Sequence, residues 1–224
     1  MNFFKNPVGK KIIVALTGIV LVKFLFIHLL GNSTIFLGPD GINAYANGLH
    51  SLPPLVWGFR VLMLLVFGIH IYFAVKLTLE NKKAKPIGYA VNTSVAATFN
   101  SKNMIWTGLI ILAFVLYHLL HFTFQVTSPY FKASANLDDY GRPNLFKMVV
   151  LSFQKGSITL LYAVSLFALL LHLSHGIQSI FQSLGLNNDR LMPKIKVFGI
   201  TLAVFLIIGY LSIPAAVQVG LIKI

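Results

Sequence analysis

The segment SLFALLLHLSHGIQSIF, residues 165–181, is apolar enough to lie in a lipid bilayer, yet it carries two histidines, His172 and His175. An ionisable side chain in a membrane-spanning helix is expensive, and it usually faces a bundle interior or a functional site. Three other apolar segments also carry histidine. These histidines are His28, His70, and the pair His118 and His121. Four such segments, each with at least one imidazole, indicate a shared buried ligand.

The composition is that of an integral membrane protein. Of the 224 residues, 57% are hydrophobic and 10% are charged, whereas about 25% of the residues of a soluble domain are charged. The net charge of +13 resides in short clusters between apolar runs. We interpret these clusters as topology signals and anionic-lipid contacts, so nucleic acid is not an expected partner. Cysteine is absent, which excludes iron–sulfur clusters and covalently attached haem within this chain.

Five apolar stretches are long enough to cross a bilayer, which takes about 20 helical residues. Glycine, proline and charged residues separate them, and the cluster at Gly38, Pro39, Asp40 and Gly41 is predicted to break the helix between the first two. The sequence therefore predicts an all-α, integral membrane five-helix bundle that forms a single domain, residues 1–224. The predicted spans are approximately 11–37, 55–80, 103–127, 155–182 and 195–217.

Basic residues predict the orientation of this bundle. If the five helices alternate, most lysines and arginines fall on the side of the N-terminus, and those on the other side are diluted by Asp40, Asp138 and Asp139. Short cytoplasmic segments are enriched in lysine and arginine. We therefore expect a multi-pass protein of the bacterial inner (cytoplasmic) membrane, with its N-terminus in the cytoplasm.

The histidines fall at two depths. At about 1.5 Å per helical residue, His28 lies about 26 Å and His118 about 23 Å from the inner ends of their helices. By the same rise, His70 lies about 15 Å and His175 about 11 Å from the inner ends of theirs. Two axial imidazoles suit haem iron, and helix bundles hold cofactors between facing helices. The sequence thus predicts two haems, one above the other, between the first four helices.

Depth does not choose between neighbouring histidines. His121, one turn from His118, also lies at the outer level, and His172, one turn from His175, also lies at the inner level. Zinc is less apt than haem, because the histidine-bearing spans contain no cysteine, and their single carboxylate, Glu80, stands at the last residue of its span, about 15 Å along the helix from His70.

Further motifs extend almost from end to end of the chain, and their combination is more specific than any one of them. They are GKKIIVALTG (9–18), HLLGNSTIF (28–36), NAYA (43–46), HIYFAVKL (70–77), KAKPIGY (83–89), WTG (106–108) and HGIQS (175–179). Together they resemble the five-helix, di-haem cytochrome b membrane anchor of type B succinate:quinone oxidoreductases, a branch that includes quinol:fumarate reductases.

The resemblance implies two haems b held by one histidine from each of the first four helices. In the family the third-helix ligand follows the glycine of a Thr-Gly pair by ten residues, which from Gly108 leads to His118. The fourth-helix ligand directly precedes a glycine, which here selects His175. The implied pairs are therefore His28 with His118 for the outer haem and His70 with His175 for the inner haem.

Four other residues are candidates for supporting roles. His121 and His172 would contact a haem or a quinone, although a hydrogen bond to a backbone carbonyl explains either one equally well. Lys23, a charge deep in the first span, would pair with a haem propionate. His50 would accept the proton at an outer quinol site, since imidazole titrates near neutrality, but a solvated loop histidine is the simpler alternative.

The implied function is that of a membrane-anchor cytochrome b subunit of succinate dehydrogenase or fumarate reductase. Electrons would pass between a quinone, with menaquinone favoured, and partner flavoprotein and iron–sulfur subunits on the cytoplasmic side, which would hold FAD and the clusters. A basic inner surface of Lys10, Lys11, Lys82, Lys83 and Lys85 would dock these partners. The sequence leaves open the direction of catalysis and whether the complex dimerises.

Two alternatives have different partners or chemistry. The first is a haem b subunit of another respiratory complex, of the formate dehydrogenase or hydrogenase type. The second is a transporter in which the buried histidines relay protons.

Overall fold

The computed structural model describes Phe4 and residues 6–84, 103–128 and 136–224. Within these ranges the secondary structure is helical, apart from an isolated bridge between Leu137 and Pro143. The α-helices of these ranges are α1 (Pro7–Ser33), α2 (Gly38–His50), α3 (Pro53–Ala84), α4 (Met104–His118), α5 (Leu145–Phe153), α6 (Gly156–Ser183) and α7 (Met192–Gln218). A 3₁₀ turn, Thr34–Leu37, joins α1 to α2, and a π-helical turn, Leu119–Thr123, extends α4.

In the described ranges, five helical segments are long and apolar enough to cross a membrane, which confirms the predicted all-α membrane protein. They are α1 with its continuation into α2, α3, α4 with its π turn, α6 and α7. The chain breaks before Gly38 as predicted, but the residues that follow form a helix and not a loop. Gly38 turns the chain with a φ of +85°, and Pro39 then occupies the first turn of a new helix. Proline is tolerated there because an N–H in the first turn has no partner within the helix.

Helix α1 lies at the centre of the bundle and packs against α3, α6 and α7, while α6 also packs against α4 and α7. Lys10 near the start of α1 forms an ion pair with Glu80 near the end of α3, so these two helices are antiparallel. Among the described residues, neither α1 with α4 nor α3 with α6 is a closely packed pair. These are the two helix pairs that carry facing histidines.

We call the end of the bundle that holds Lys10 the inner end and the opposite end, which holds α2, the outer end. A polar network fastens α2 across the outer end. Arg142 donates hydrogen bonds to Asp40 at 2.6 Å and to Asp138 at 2.8 Å. Asn43, which is 1% exposed, accepts the backbone N–H of Phe146 at 2.9 Å. The loop before α5 is therefore bound to α2.

The carboxyl of Asp138 is the hub of this network. Partial burial raises its pKa, but hydrogen bonds from the backbone N–H and the side chain of Arg142 and from the backbone N–H of Tyr140 outweigh that effect. The pKa of Asp138 therefore lies below its ordinary value, so folding favours the carboxylate.

The inner end differs from the predicted docking surface at one residue. Lys10 is only 3% exposed because its ammonium is turned onto Glu80. Of the other lysines expected there, Lys11, Lys82 and Lys83 are exposed, and Lys85 lies outside the described residues.

Candidate functional site: histidine pairs at two levels of the bundle

The inner level begins with a contact between α1 and α3. His70 Nδ1 lies 3.0 Å from the Oγ1 of Thr17, and the carbonyl of Val14 faces the same ring. The neighbouring residue, Gly18, lies beside the ring, and a Cβ built there would stand 3.7 Å from Cε1 of His70, in ordinary van der Waals contact. The Thr-Gly pair of α1 is therefore a seat for the imidazole of α3.

The same contact occurs between α4 and α6. His172 Nδ1 lies 3.1 Å from the Oγ1 of Thr107, and the carbonyl of Met104 faces this ring. A Cβ built at Gly108 would stand 3.6 Å from Cε1 of His172. His70 and His172 are also close enough to interact electrostatically. The inner level therefore contains two equivalent imidazole seats from two helix pairs.

The equivalence extends to the outer level. On α1 the glycine of the Thr-Gly pair is followed ten residues later by His28, and on α4 the glycine is followed ten residues later by His118. Helices α1 and α3 thus repeat the Thr–His contact and the Gly-to-His spacing of α4 and α6. The sequence analysis did not identify this internal repeat.

Hydrogen-bond direction fixes the tautomer of the inner histidines. The hydroxyl of Thr17 donates its single proton to the carbonyl of Ile13 at 2.7 Å, and the hydroxyl of Thr107 donates to backbone carbonyls at 3.1 to 3.2 Å. Each threonine oxygen can then only accept, so Nδ1 of His70 and of His172 carries the proton. Their Nε2 atoms, which make no hydrogen bond with the described residues, hold the lone pair that a metal needs.

The outer level brings His28 and His118 together across α1 and α4. Their ring centroids are 5.9 Å apart and the rings are nearly perpendicular, at 87°. The ring of His28 stacks on Phe24 at 5.2 Å, and Tyr210 lies 6.2 Å away on α7. The predicted outer pair therefore faces across the bundle.

The donor set suits haem better than a site built from protein ligands alone. In the described part of the chain no three His, Cys, Asp or Glu side chains converge on one point, whereas haem iron needs only two axial side chains. A metal–imidazole bond of about 2.0 Å on each side would place two axial ring centroids roughly 6 Å apart. The separation between His28 and His118 matches that distance.

His175, the predicted inner ligand, makes a different contact. Its Nε2 lies 3.1 Å from Oγ of Ser179, which is one turn away on the same helix. Its Nδ1 is buried and has no hydrogen-bond partner among the described residues. The contact that crosses the bundle to a Thr-Gly pair is made by His172, so the geometry favours His172 over His175 as the partner of His70.

Two other predicted site residues lie away from the histidine pairs. His50 is exposed at the end of α2 and donates from Nδ1 to the carbonyl of Ala46 at 2.8 Å. Lys23 is exposed and makes no hydrogen bond or ion pair with the described residues. At 3.6 residues per turn it lies about 140° around α1 from His28. No contact of His50 supports its expected role at a quinone site, and no contact of Lys23 supports its expected pairing with a haem propionate.

His121 is fully buried and belongs to the outer level. Its Nδ1 lies 3.0 Å from the Oη of Tyr162, and its Nε2 lies 3.1 Å from Oγ of Ser152. It sits in the π-helical turn that follows His118, and such turns are frequent at functional sites. His121 is therefore a hydrogen-bonding neighbour of the outer pair.

Three residues of the site were not recognised from the sequence. Thr17 and Thr107 carried a usable signal, because a Thr-Gly pair precedes a histidine at the same spacing on two helices. Tyr162 carried none, since one tyrosine near the start of an apolar span is also typical of a membrane interface.

Comparison with known proteins adds no further assignment: no family model, no curated protein and no solved structure matches this chain.

Proposed function

We propose that this multi-pass membrane protein is the di-haem cytochrome b subunit of a succinate:quinone oxidoreductase or quinol:fumarate reductase. The observation that carries the proposal is the repeated arrangement of facing histidines at two levels. His28 and His118 are spaced for one axial pair, and His70 and His172 present free Nε2 atoms from equivalent threonine seats. The resemblance of the motifs to this family then supports the assignment of the enzyme.

In this proposal His28 and His118 hold the outer haem, and His70 and His172 hold the inner haem. His172 replaces His175 in the ligand set because it repeats the contact of His70, whereas His175 bonds within its own helix. When bound, haem b supplies a one-electron carrier at each level.

The chain's own residues hold and tune these carriers. Thr17 and Thr107 accept hydrogen bonds from Nδ1–H of the inner ligands, which fixes the orientation of the rings and raises the basicity of Nε2. From Thr17 to His28 the two levels lie about 16 Å apart along the helix axis. Electrons would therefore cross much of the bilayer in one step between the levels.

The remaining expectations complete the proposal. The N-terminus lies in the bacterial cytoplasm, and flavoprotein and iron–sulfur subunits dock at the inner end against Lys11, Lys82 and Lys83, which are exposed. The iron–sulfur clusters belong to these partners, because this chain has no cysteine to hold them, and the family resemblance assigns FAD to the flavoprotein subunit. A quinone, with menaquinone favoured, exchanges electrons with this subunit.

The first test is haem content. Protein purified from membranes in mild detergent is expected to show a b-type spectrum and two haems per chain by the pyridine haemochrome assay. One haem per chain would contradict the two-level scheme, and the absence of haem would favour a proton-relay transporter.

The second test identifies the enzyme. In membranes that contain the intact complex, succinate is expected to reduce both haems, and malonate to block that reduction. Reduction by formate or hydrogen and not by succinate would instead assign the chain to another respiratory complex.

A further inference from the structure

The outer pair is held by a hydrogen-bonded chain that reaches beyond the two facing histidines. The Oη of Tyr162, on α6, lies 3.4 Å from Nδ1 of His118 and 3.0 Å from Nδ1 of His121. His121 Nε2 lies 3.1 Å from Oγ of Ser152, on α5. His121, Ser152 and Tyr162 are all buried, so water does not compete for these bonds.

The direction of this chain can be derived from its far end. The hydroxyl of Ser152 donates to the carbonyl of Met148 at 2.6 Å, so its oxygen accepts the Nε2–H of His121. A neutral imidazole that donates from Nε2 accepts at Nδ1, and the Tyr162 hydroxyl lies 3.0 Å from that nitrogen. Tyr162 therefore donates its proton to His121, and its oxygen lone pairs face His118.

The consequence for His118 is a fixed tautomer. Its Nδ1 must carry the proton in order to donate to the Tyr162 oxygen, which leaves the lone pair on Nε2, the atom used by the inner histidines as well. His28, on the opposite helix, has ring contacts with Phe24 and Tyr210, but its ring nitrogens make no hydrogen bond with the described residues. The two sides of the outer level therefore differ.

We propose that Tyr162 is the positioning residue of His118, and that His121 and Ser152 orient it. This inference rests on the proposed function. A tyrosine whose hydroxyl donates a hydrogen bond to His121 is a better acceptor than a free phenol, because hydrogen bonds in a chain polarise one another. A stronger acceptor at Nδ1 makes His118 a more basic ligand, which stabilises the oxidised iron of the outer haem.

The test uses Tyr162→Phe in the intact complex and measures the midpoint potential of each haem by optical redox titration. The expected result is a higher potential for the outer haem, with a changed low-spin EPR signal, and an unchanged potential for the inner haem. Tyr210→Phe is the matched control, because it removes a hydroxyl at the same level that contacts no histidine nitrogen; neither potential should move.

A second variant tests the same hydrogen-bonded chain independently, in case Tyr162→Phe does not fold. Ser152→Ala leaves Tyr162 in place but removes the acceptor that orients His121, and it is expected to shift the outer potential in the same direction by a smaller amount. Unchanged outer potentials in both variants would overturn the inference while the two-haem scheme stands. A wild-type protein with fewer than two haems would overturn the proposed function and this inference together.

Discussion

The inner and outer histidine levels are built in different ways. At the inner level each imidazole is seated by a threonine on the adjacent helix, and the two seats, Thr17 with His70 and Thr107 with His172, are equivalent. At the outer level one imidazole, His118, has a tyrosine acceptor, while the other, His28, is held by ring contacts alone. The inner level is thus symmetric and the outer level is not.

The difference follows from where the supporting groups come from. The inner seats use residues one helix away, and a threonine in a helix can bond its own backbone and still accept from a neighbour. The outer seat draws on α4, α5 and α6 together, and only one copy of that arrangement exists in the described residues. We expect the two levels to respond differently to substitution.

The largest expected effect separates the two candidate inner ligands. His172→Ala, like His70→Ala, should reduce the haem content from two to one per chain, because a noncovalent haem b loses one of its axial ligands. His175→Ala should retain two, since the hydrogen bond of His175 within the described residues is to Ser179 on its own helix. The pyridine haemochrome assay on purified variants measures both results.

The opposite pattern, with one haem in His175→Ala and two in His172→Ala, would show that the ligand implied by the resemblance is correct. It would also mean that the contact between His172 and Thr107 has another role.

A smaller effect is expected when the inner seats are weakened while the ligands stay. Thr17→Val and Thr107→Val keep the side-chain shape but remove the acceptor of Nδ1–H, and loss of such a partner typically weakens metal binding by roughly 10-fold to 100-fold. Because the two seats are equivalent, the two variants should lose the inner haem at similar rates when titrated with apomyoglobin as a haem acceptor.

The matched control is Thr78→Val on α3, whose hydroxyl bonds only the carbonyl of Ala74 among the described residues. It should leave haem retention unchanged. Strongly unequal losses in Thr17→Val and Thr107→Val would contradict the equivalence of the two inner seats.

The smallest expected effect concerns the outer end and pH. The pKa of Asp138 is lowered in the folded protein, so its contribution to stability is complete above the ordinary aspartate range and is lost as the pH falls toward the lowered value. Wild-type protein should therefore lose more thermal stability than Asp138→Asn does as the pH falls from about 5 to about 3, by a few degrees in Tm.

Asp139→Asn serves as the control, because this adjacent carboxyl is exposed and makes none of the bonds of Asp138. Differential scanning fluorimetry in detergent across the pH range measures all three proteins. Identical pH dependence in wild-type protein and Asp138→Asn would show that the network around Arg142 does not support folding.

Much of the fold could be predicted because a bilayer constrains it strongly. A span needs about 20 apolar residues, and the chain contains five such stretches, so the membrane helices were found within several residues of their ends. The segment after Ser33 was misjudged. Gly38, Pro39, Asp40 and Gly41 are typical of a loop, yet the same glycine and proline also start a helix, and only packing against α5 decides between these outcomes.

The histidine site was predictable in outline but not in detail. Counting residues along each helix sorts the imidazoles into two depths, because the rise per residue is constant. Counting does not fix their rotation about the helix axis relative to neighbouring helices. His172 and His175 are three residues apart and differ little in depth, so the sequence could not distinguish them, whereas the contact with Thr107 does.

The amino-acid sequence by itself determined that this is a five-helix membrane protein with imidazoles at two depths, because hydropathy and helical rise depend on the chain alone. The tertiary structure decided which imidazoles face each other, which nitrogens are free, and that Tyr162 joins His118 to His121. The physical reason is that hydrogen-bond direction and helix rotation arise from contacts between segments far apart in the chain, and no local pattern of residues encodes them.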